Sequence, residues 1–357
     1  MFGALRRLLR ALLALPTPAR RALAGPAVTR DGQTLDLDVQ LVLRLLGMIA
    51  PGEEPSLVDQ RRATDRAAGL AASLTPGVTA RELAVPAPAG PGRDAPGTLP
   101  ACLYEPAEVG DGPAGLLVHF HGGGFALGSI ASSAPLCRVL AHQAGVRVLS
   151  VEYRLAPENP FPAGLADAAS ALHHVLTHRE DYRATTVAAG GDSAGANLAL
   201  TAAHQLARHR DETAAFVLAL YPVTDAGRIG GSRDLFAEGF GLRTADIEVF
   251  ERYYLPDGLD VIRPTGLLEV DDLAIMPPCY VATAGFDPLR DEGEELADAL
   301  RRVGVPVVAR RFSGLVHGYA GFAGLVPAAR DAVLDAASAL RAGLALGAPV
   351  RERSLGP

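Results

Sequence analysis

Six short, almost purely apolar runs, at residues 116–120, 146–151, 185–189, 216–221, 280–284 and 305–308, set the pattern of this chain beyond its first third. Most are separated by stretches with helical spacing, at 134–144, 164–177, 196–209 and 292–303. Strands apolar on both faces and alternating with helices need a sheet covered on both sides, which makes the sheet largely parallel. Ahead of them, residues 81–85 and 99–104 read as two strands joined by the Pro/Gly-rich stretch 86–96, a hairpin with a long connection. Residues 36–72 keep helical spacing around a turn at Pro51-Gly52.

Residues 225–270 break the rhythm. They are too long for a plain connection and carry a helical patch of their own at 244–254. The segment reads as an insertion. With the N-terminal helices it would form a cap over the carboxyl edge of the sheet, where α/β proteins place their sites. The expected division is residues 1–75 as leader and cap helices, 76–345 as the α/β domain carrying the insertion, and 346–357 as a C-terminal tail.

The first 15 residues resemble a secretion signal only superficially. Arg6, Arg7 and Arg10 leave just Ala11 to Leu15 uninterrupted, short of the apolar core a signal peptide needs. Leu5, Leu8, Leu9, Leu12 and Leu13 instead follow helical spacing, with the arginines elsewhere on the wheel. A basic amphipathic helix of this kind can lie on an anionic membrane. Packing on its own protein as part of the cap is the expected use. No stretch reaches the roughly 18 uncharged apolar residues of a spanning helix. All 33 basic residues are Arg, which excludes chemistry through a Schiff-base or phosphate-loop lysine. A formal charge of −7 lacks the footprint of a nucleic-acid binder. Cys102, Cys137 and Cys279 have no spacing suited to a disulfide framework or a zinc site, and a reducing, cytoplasmic setting is expected.

Gly191-Asp192-Ser193-Ala194-Gly195 matches G-x-S-x-G between an expected strand and an expected helix. A sharp strand-to-helix turn there exposes the Ser193 hydroxyl and sets the Ala194 N–H at a positive helix end. A small-residue turn with an ordinary capping serine fits the same five residues. His121-Gly122-Gly123-Gly124 follows the strand at 116–120. Its glycines let backbone N–H groups face a cavity, and with the Ala194 N–H they would hold a developing oxyanion. His119 and His121 share a strand face, but no third metal ligand stands nearby. His121 is expected to support the loop through hydrogen bonds.

A serine nucleophile needs a base and an acid that orients it, in the chain order Ser, acid, His. Only His317 lies both downstream of Ser193 and on a loop after a strand. Asp287 sits just past the strand at 280–284. Its competitor Asp291 precedes Glu292 and Glu294 at a helix start, where N-capping would account for it.

These residues give the chain a resemblance. His121-Gly-Gly-Gly-Phe125, Glu152-Tyr-Arg-Leu-Ala-Pro-Glu158, Gly191-Asp-Ser-Ala-Gly195, Asp287-Pro-Leu-Arg-Asp-Glu-Gly293 and His317-Gly-Tyr319 are similar to the motifs of the hormone-sensitive-lipase-like family of α/β-hydrolase esterases. The match runs from about residue 116 to the C-terminal helix and is looser in the N-terminal cap. The segment Leu235-Phe-Ala-Glu-Gly-Phe-Gly-Leu242, with the residues after it, resembles the family's cap insertion. The resemblance implies an α/β-hydrolase fold, a mostly parallel central sheet flanked by helices, with a helical cap. It implies Ser193 as nucleophile, Asp287 as orienter and His317 as base, with oxyanion donors at Gly123, Gly124 and Ala194 and Gly122 as a further candidate. No cofactor and no metal are implied. The expected activity is hydrolysis of short-to-medium acyl esters through an acyl-enzyme. An amide-cleaving enzyme on the same triad is the alternative. A small-molecule receptor of the same fold is the non-catalytic alternative, although such relatives have lost the histidine that stands here as His317. Contact with a membrane is not favoured, and a homodimer is left open.

Overall fold

The computed structural model describes residues 2–48, 55–71, 75–91, 93–209, 213–256 and 272–347. In chain order its elements are α1 (Phe2–Leu13), α2 (Thr17–Ala24), β1 (Thr29–Arg30), β2 (Gln33–Thr34), α3 (Leu37–Met48), α4 (Leu57–Ala71), β3 (Val78–Ala87), β4 (Gly97–Pro106), β5 (Ala114–Phe120), α5 (Ile130–Ala144), β6 (Arg147–Val151), α6 (Ala163–Thr177), β7 (Ala184–Asp192), α7 (Ala194–Arg208), β8 (Phe216–Leu220), α8 (Ser232–Leu235), α9 (Thr244–Tyr254), β9 (Cys279–Phe286), α10 (Arg290–Arg302), β10 (Val307–Val316) and α11 (Pro327–Leu346). The turn expected at Pro51-Gly52 lies outside the described residues, as do the insertion beyond residue 256 and the tail beyond residue 347.

Eight strands form one sheet in the order β10-β9-β8-β7-β5-β6-β4-β3. The six strands from β10 to β6 run parallel, while β4 is antiparallel to both β6 and β3. Side-chain alternation explains the unbroken apolar runs. On β5, Leu116, Val118 and Phe120 enter the core beneath α6 and α7, and Leu117 enters the opposite core beneath α5 and α11. The described strands outrun the expected ones where one face meets water. β10 continues through Arg310 and Arg311 because it is an edge strand, half-exposed and charged until its buried end at Leu315 and Val316, so apolar continuity marks only its first residues.

The N-terminal helices lie at the carboxyl edge. Asp36 caps α3 by accepting the N–H groups of Asp38 at 2.9 Å and Val39 at 3.1 Å, and its own N–H donates to the Gly314 carbonyl at 2.9 Å. Helix α3 is thereby tied to the strand that leads to His317. Helix α2 packs on α3 with an Arg20–Asp38 ion pair, and α1 lies against α4. Among the described residues, no helix is long and apolar enough to cross a membrane.

Candidate active site

Ser193 lies between β7 and α7 with φ 54° and ψ −122°, a conformation that costs a non-glycine residue stability and survives only where its surroundings enforce it. Two contacts enforce it here. The Ser193 N–H donates to the Leu220 carbonyl at 2.8 Å, and Gly195 presses so closely on the Phe120 and His121 carbonyls that any Cβ would collide with them. The last two strands, β9 and β10, both on the β8 side of β7, lead to Asp287 and His317. His317, just past β10, places Nε2 2.9 Å from Ser193 Oγ, and Nδ1 2.8 Å from Asp287 Oδ2. Asp287 is fully buried after β9, and its Oδ1 accepts the Leu289 N–H at 2.8 Å. With Nδ1–H donating to Asp287, Nε2 is left to accept the serine proton. The Tyr221 ring packs edge-on against the imidazole with centroids 5.0 Å apart.

The glycine turn borders the same cavity. Gly122 donates its N–H to Asp192 Oδ1 at 3.1 Å, which commits it inside the protein and sets it apart from the other donors expected from sequence. Among the described residues, no hydrogen bond uses the N–H of Gly123, Gly124 or Ala194. Gly123 sits at φ 126°, and its carbonyl closes the turn by accepting from Ala126 at 3.1 Å and Leu127 at 2.8 Å. His121 donates from Nδ1 to the Gly122 carbonyl at 2.9 Å and stacks on Tyr153, whose hydroxyl donates to the His121 carbonyl at 2.8 Å. Burial pushes His121 down to about 4 and His119 to about 3, so both stay neutral at ordinary pH. No three His, Cys, Asp or Glu side chains converge as metal ligands would among the described residues.

Two findings depart from the sequence expectation. Asp291 does not cap α10: it lies inside the helix, accepts the Ser232 N–H at 2.8 Å and pairs with Arg290 at 2.9 Å, tying the insertion to the domain. Asp192, read only as a spacer in G-x-S-x-G, anchors the glycine turn through Gly122. Its position beside Ser193 was the available signal, but only the folded chain brings it under Gly122. Burial raises the Asp192 carboxyl to about 6. As pH falls through that value, Asp192 gains a proton and becomes a weaker acceptor for Gly122. Lowering the pH through that value is therefore expected to reduce kcat/KM more steeply in the parent than in Asp192→Asn. Identical acid limbs in the two proteins would remove Asp192 from the pH response.

A cavity of about 630 Å³ opens from Ser193. Leu5 and Leu9 of α1, Val42 and Leu46 of α3, and Ala63 and Ala67 of α4 wall one part of it. Leu242, Ile247 and Phe250 of the insertion wall another. Leu9 of α1 is only 2 % exposed. A serine hydroxyl, an imidazole nitrogen able to accept its proton and uncommitted N–H groups thus meet in an apolar recess, an arrangement that suits attack on an uncharged carbonyl.

The α/β-hydrolase fold family model matches residues 117–321. The chain is 38 % identical over 344 residues to the carboxylic ester hydrolase LipN of Mycobacterium tuberculosis, covering 92 % of this chain and 89 % of LipN. It is 37 % identical over 257 residues to the carboxylesterase NlhH of the same species, covering 69 % of this chain and 79 % of NlhH. The chain belongs to the α/β-hydrolase fold family, among its hormone-sensitive-lipase-like carboxylesterases. It is a carboxylic ester hydrolase. Among solved structures, this hydrolase superposes on a thermostable esterase from Pseudomonas putida with a TM-score of 0.82 at 28 % identity, covering 88 % of this chain and 99 % of that one.

Proposed function

We propose that the chain is a serine carboxylesterase in which Ser193 is the nucleophile, His317 the base and Asp287 the group that orients it. The observation that carries this is the continuous relay from Ser193 Oγ to His317 Nε2 at 2.9 Å and from His317 Nδ1 to Asp287 at 2.8 Å, opening into an apolar cavity. His317 takes the hydroxyl proton as Oγ bonds to the ester carbonyl carbon. The carbonyl π electrons move onto oxygen, which the N–H groups of Gly123, Gly124 and Ala194 receive. Collapse of this intermediate breaks the bond to the alcohol, which leaves with the proton from His317. Water, deprotonated by the same imidazole, then releases the carboxylic acid and restores Ser193. His121 supports the glycine turn. No metal enters this scheme, so EDTA is expected to leave turnover unchanged, and zinc-reversible loss on chelation would overturn it.

The same proposal makes residues before about 75 and the insertion at 225–270 a cap over the domain, and the substrates short-to-medium acyl esters. The apolar lining supports uncharged acyl chains, and Leu9 is the side chain through which α1 limits their length. Leu9→Ala should raise the ratio of kcat/KM for p-nitrophenyl decanoate to that for the acetate, and Leu9→Phe should lower it, each by about tenfold. A ratio unmoved by both substitutions would take α1 out of the substrate site. Three free, buried cysteines support the cytoplasmic setting in this reading.

A further inference from the structure

Helix α4 does more than wall the cavity. Arg61, on the side of α4 facing the domain, reaches across to it with its whole guanidinium. Nε donates to the Ala126 carbonyl at 2.8 Å, Nη2 to the Ala156 carbonyl at 2.9 Å, and Nη1 and Nη2 grip Glu158 at 2.8 and 2.7 Å. One turn along α4, Asp65 accepts from the Ser129 hydroxyl at 2.5 Å. Every one of these contacts falls on chain that immediately succeeds or flanks the glycine turn.

The two carbonyls matter because of what hangs from them. Ala126 belongs to the turn closed by Gly123, since its N–H donates to the Gly123 carbonyl at 3.1 Å. Between them stands Phe125 at φ 62°, a left-handed conformation that a side chain disfavours. Two contacts hold Phe125 there: the Ala156 N–H donates to its carbonyl at 2.9 Å, and its ring stacks on Tyr254 with centroids 3.9 Å apart. Ala126 and Ala156 are wholly buried, so a carbonyl deprived of Arg61 gains little from water in exchange. Arg61 thus grips the strained turn beyond Gly123 and Gly124 at its downstream end and, through Ala156, at Phe125.

Resting on the serine-esterase reading, we propose that Arg61 is a positioning residue of the esterase reaction: closure of α4 onto the domain holds the Gly123 and Gly124 N–H groups where the carbonyl oxygen of the substrate becomes charged. A displacement of donors by about 1 Å can cost on the order of 10²-fold in rate. Because every ester presents the same oxygen, the loss falls on kcat and is independent of acyl length. A side chain that merely holds up the cavity wall would act on KM and on long chains first.

The test compares Arg61→Ala, Arg61→Lys and the exposed neighbour Arg62→Ala with the parent full-length chain. Active sites are counted by the p-nitrophenol burst from diethyl p-nitrophenyl phosphate, so unfolded protein does not enter kcat. Arg61→Ala should lower kcat for p-nitrophenyl acetate and hexanoate alike by at least about tenfold, with KM within about threefold. Arg61→Lys, which keeps the charge and one donor direction, should recover part of the loss, and Arg62→Ala should match the parent. A kcat per active site within about twofold of the parent overturns the proposal, and so does a loss that grows with chain length. Ser193→Ala is run beside them. If it keeps its turnover, the esterase reading itself falls; if it is inactive while Arg61→Ala matches the parent, only the role of Arg61 falls.

Discussion

Ser193→Ala is expected to lower ester turnover by at least about 10⁴-fold while leaving the folding transition nearly where it is. The two halves of that expectation have separate causes. The hydroxyl makes one side-chain hydrogen bond, to His317 Nε2, so its removal costs little packing. The backbone at Ser193 is held by its N–H on Leu220 and by the glycines on either side, none of which the substitution touches. The chemistry, in contrast, loses the only atom the relay delivers to a substrate. His317→Ala should do comparable damage, and the double variant should be no worse than either single one, because residues that act as one unit are not additive. Hydrolysis of p-nitrophenyl butyrate by purified Ser193→Ala at near the parent rate would remove Ser193 from the reaction. Full losses that multiply in the double variant would mean the two residues act separately.

The second large effect separates two carboxylates four residues apart. Asp287→Asn should reduce kcat by about 10⁴-fold, since an amide can turn its NH₂ toward Nδ1 and hold the imidazole in the tautomer that cannot accept from Ser193. It also withdraws the negative charge, fully buried, that stabilises the imidazolium during the reaction. Asp291→Asn keeps an oxygen to accept the Ser232 N–H and loses only the charge facing Arg290, which also pairs with Asp31 at 2.8 Å. Turnover within about threefold of the parent and a stability loss of about 1 kcal/mol or less are expected there. Steady-state kinetics with urea unfolding on both variants measures the contrast. The reverse pattern would transfer the orienting role to Asp291.

Features governed by neighbouring residues along the chain are legible in the sequence alone. The parallel sheet is announced by strands apolar on both faces, because only a sheet covered twice buries such strands. Ser193 and the glycine turn stand in short motifs whose local backbone conformation needs tiny residues at fixed spacing, and those residues mark them. His317 and Asp287 are marked by their places just past strands, which carry both to the same sheet edge. What tertiary structure alone decided lies in contacts between segments distant in sequence. That the Gly122 N–H is taken by Asp192, 70 residues on, separates it from Gly123 and Gly124 in a way no spacing could reveal. That Asp291 serves the insertion instead of a helix end depends on Ser232, 59 residues earlier. That Arg61 reaches two carbonyls, 65 and 95 residues away, depends on α4 docking beside the glycine turn, and backbone carbonyls leave no mark in a sequence. Local propensity and motif chemistry act over a few residues, whereas these partners are chosen by how separately folded pieces pack.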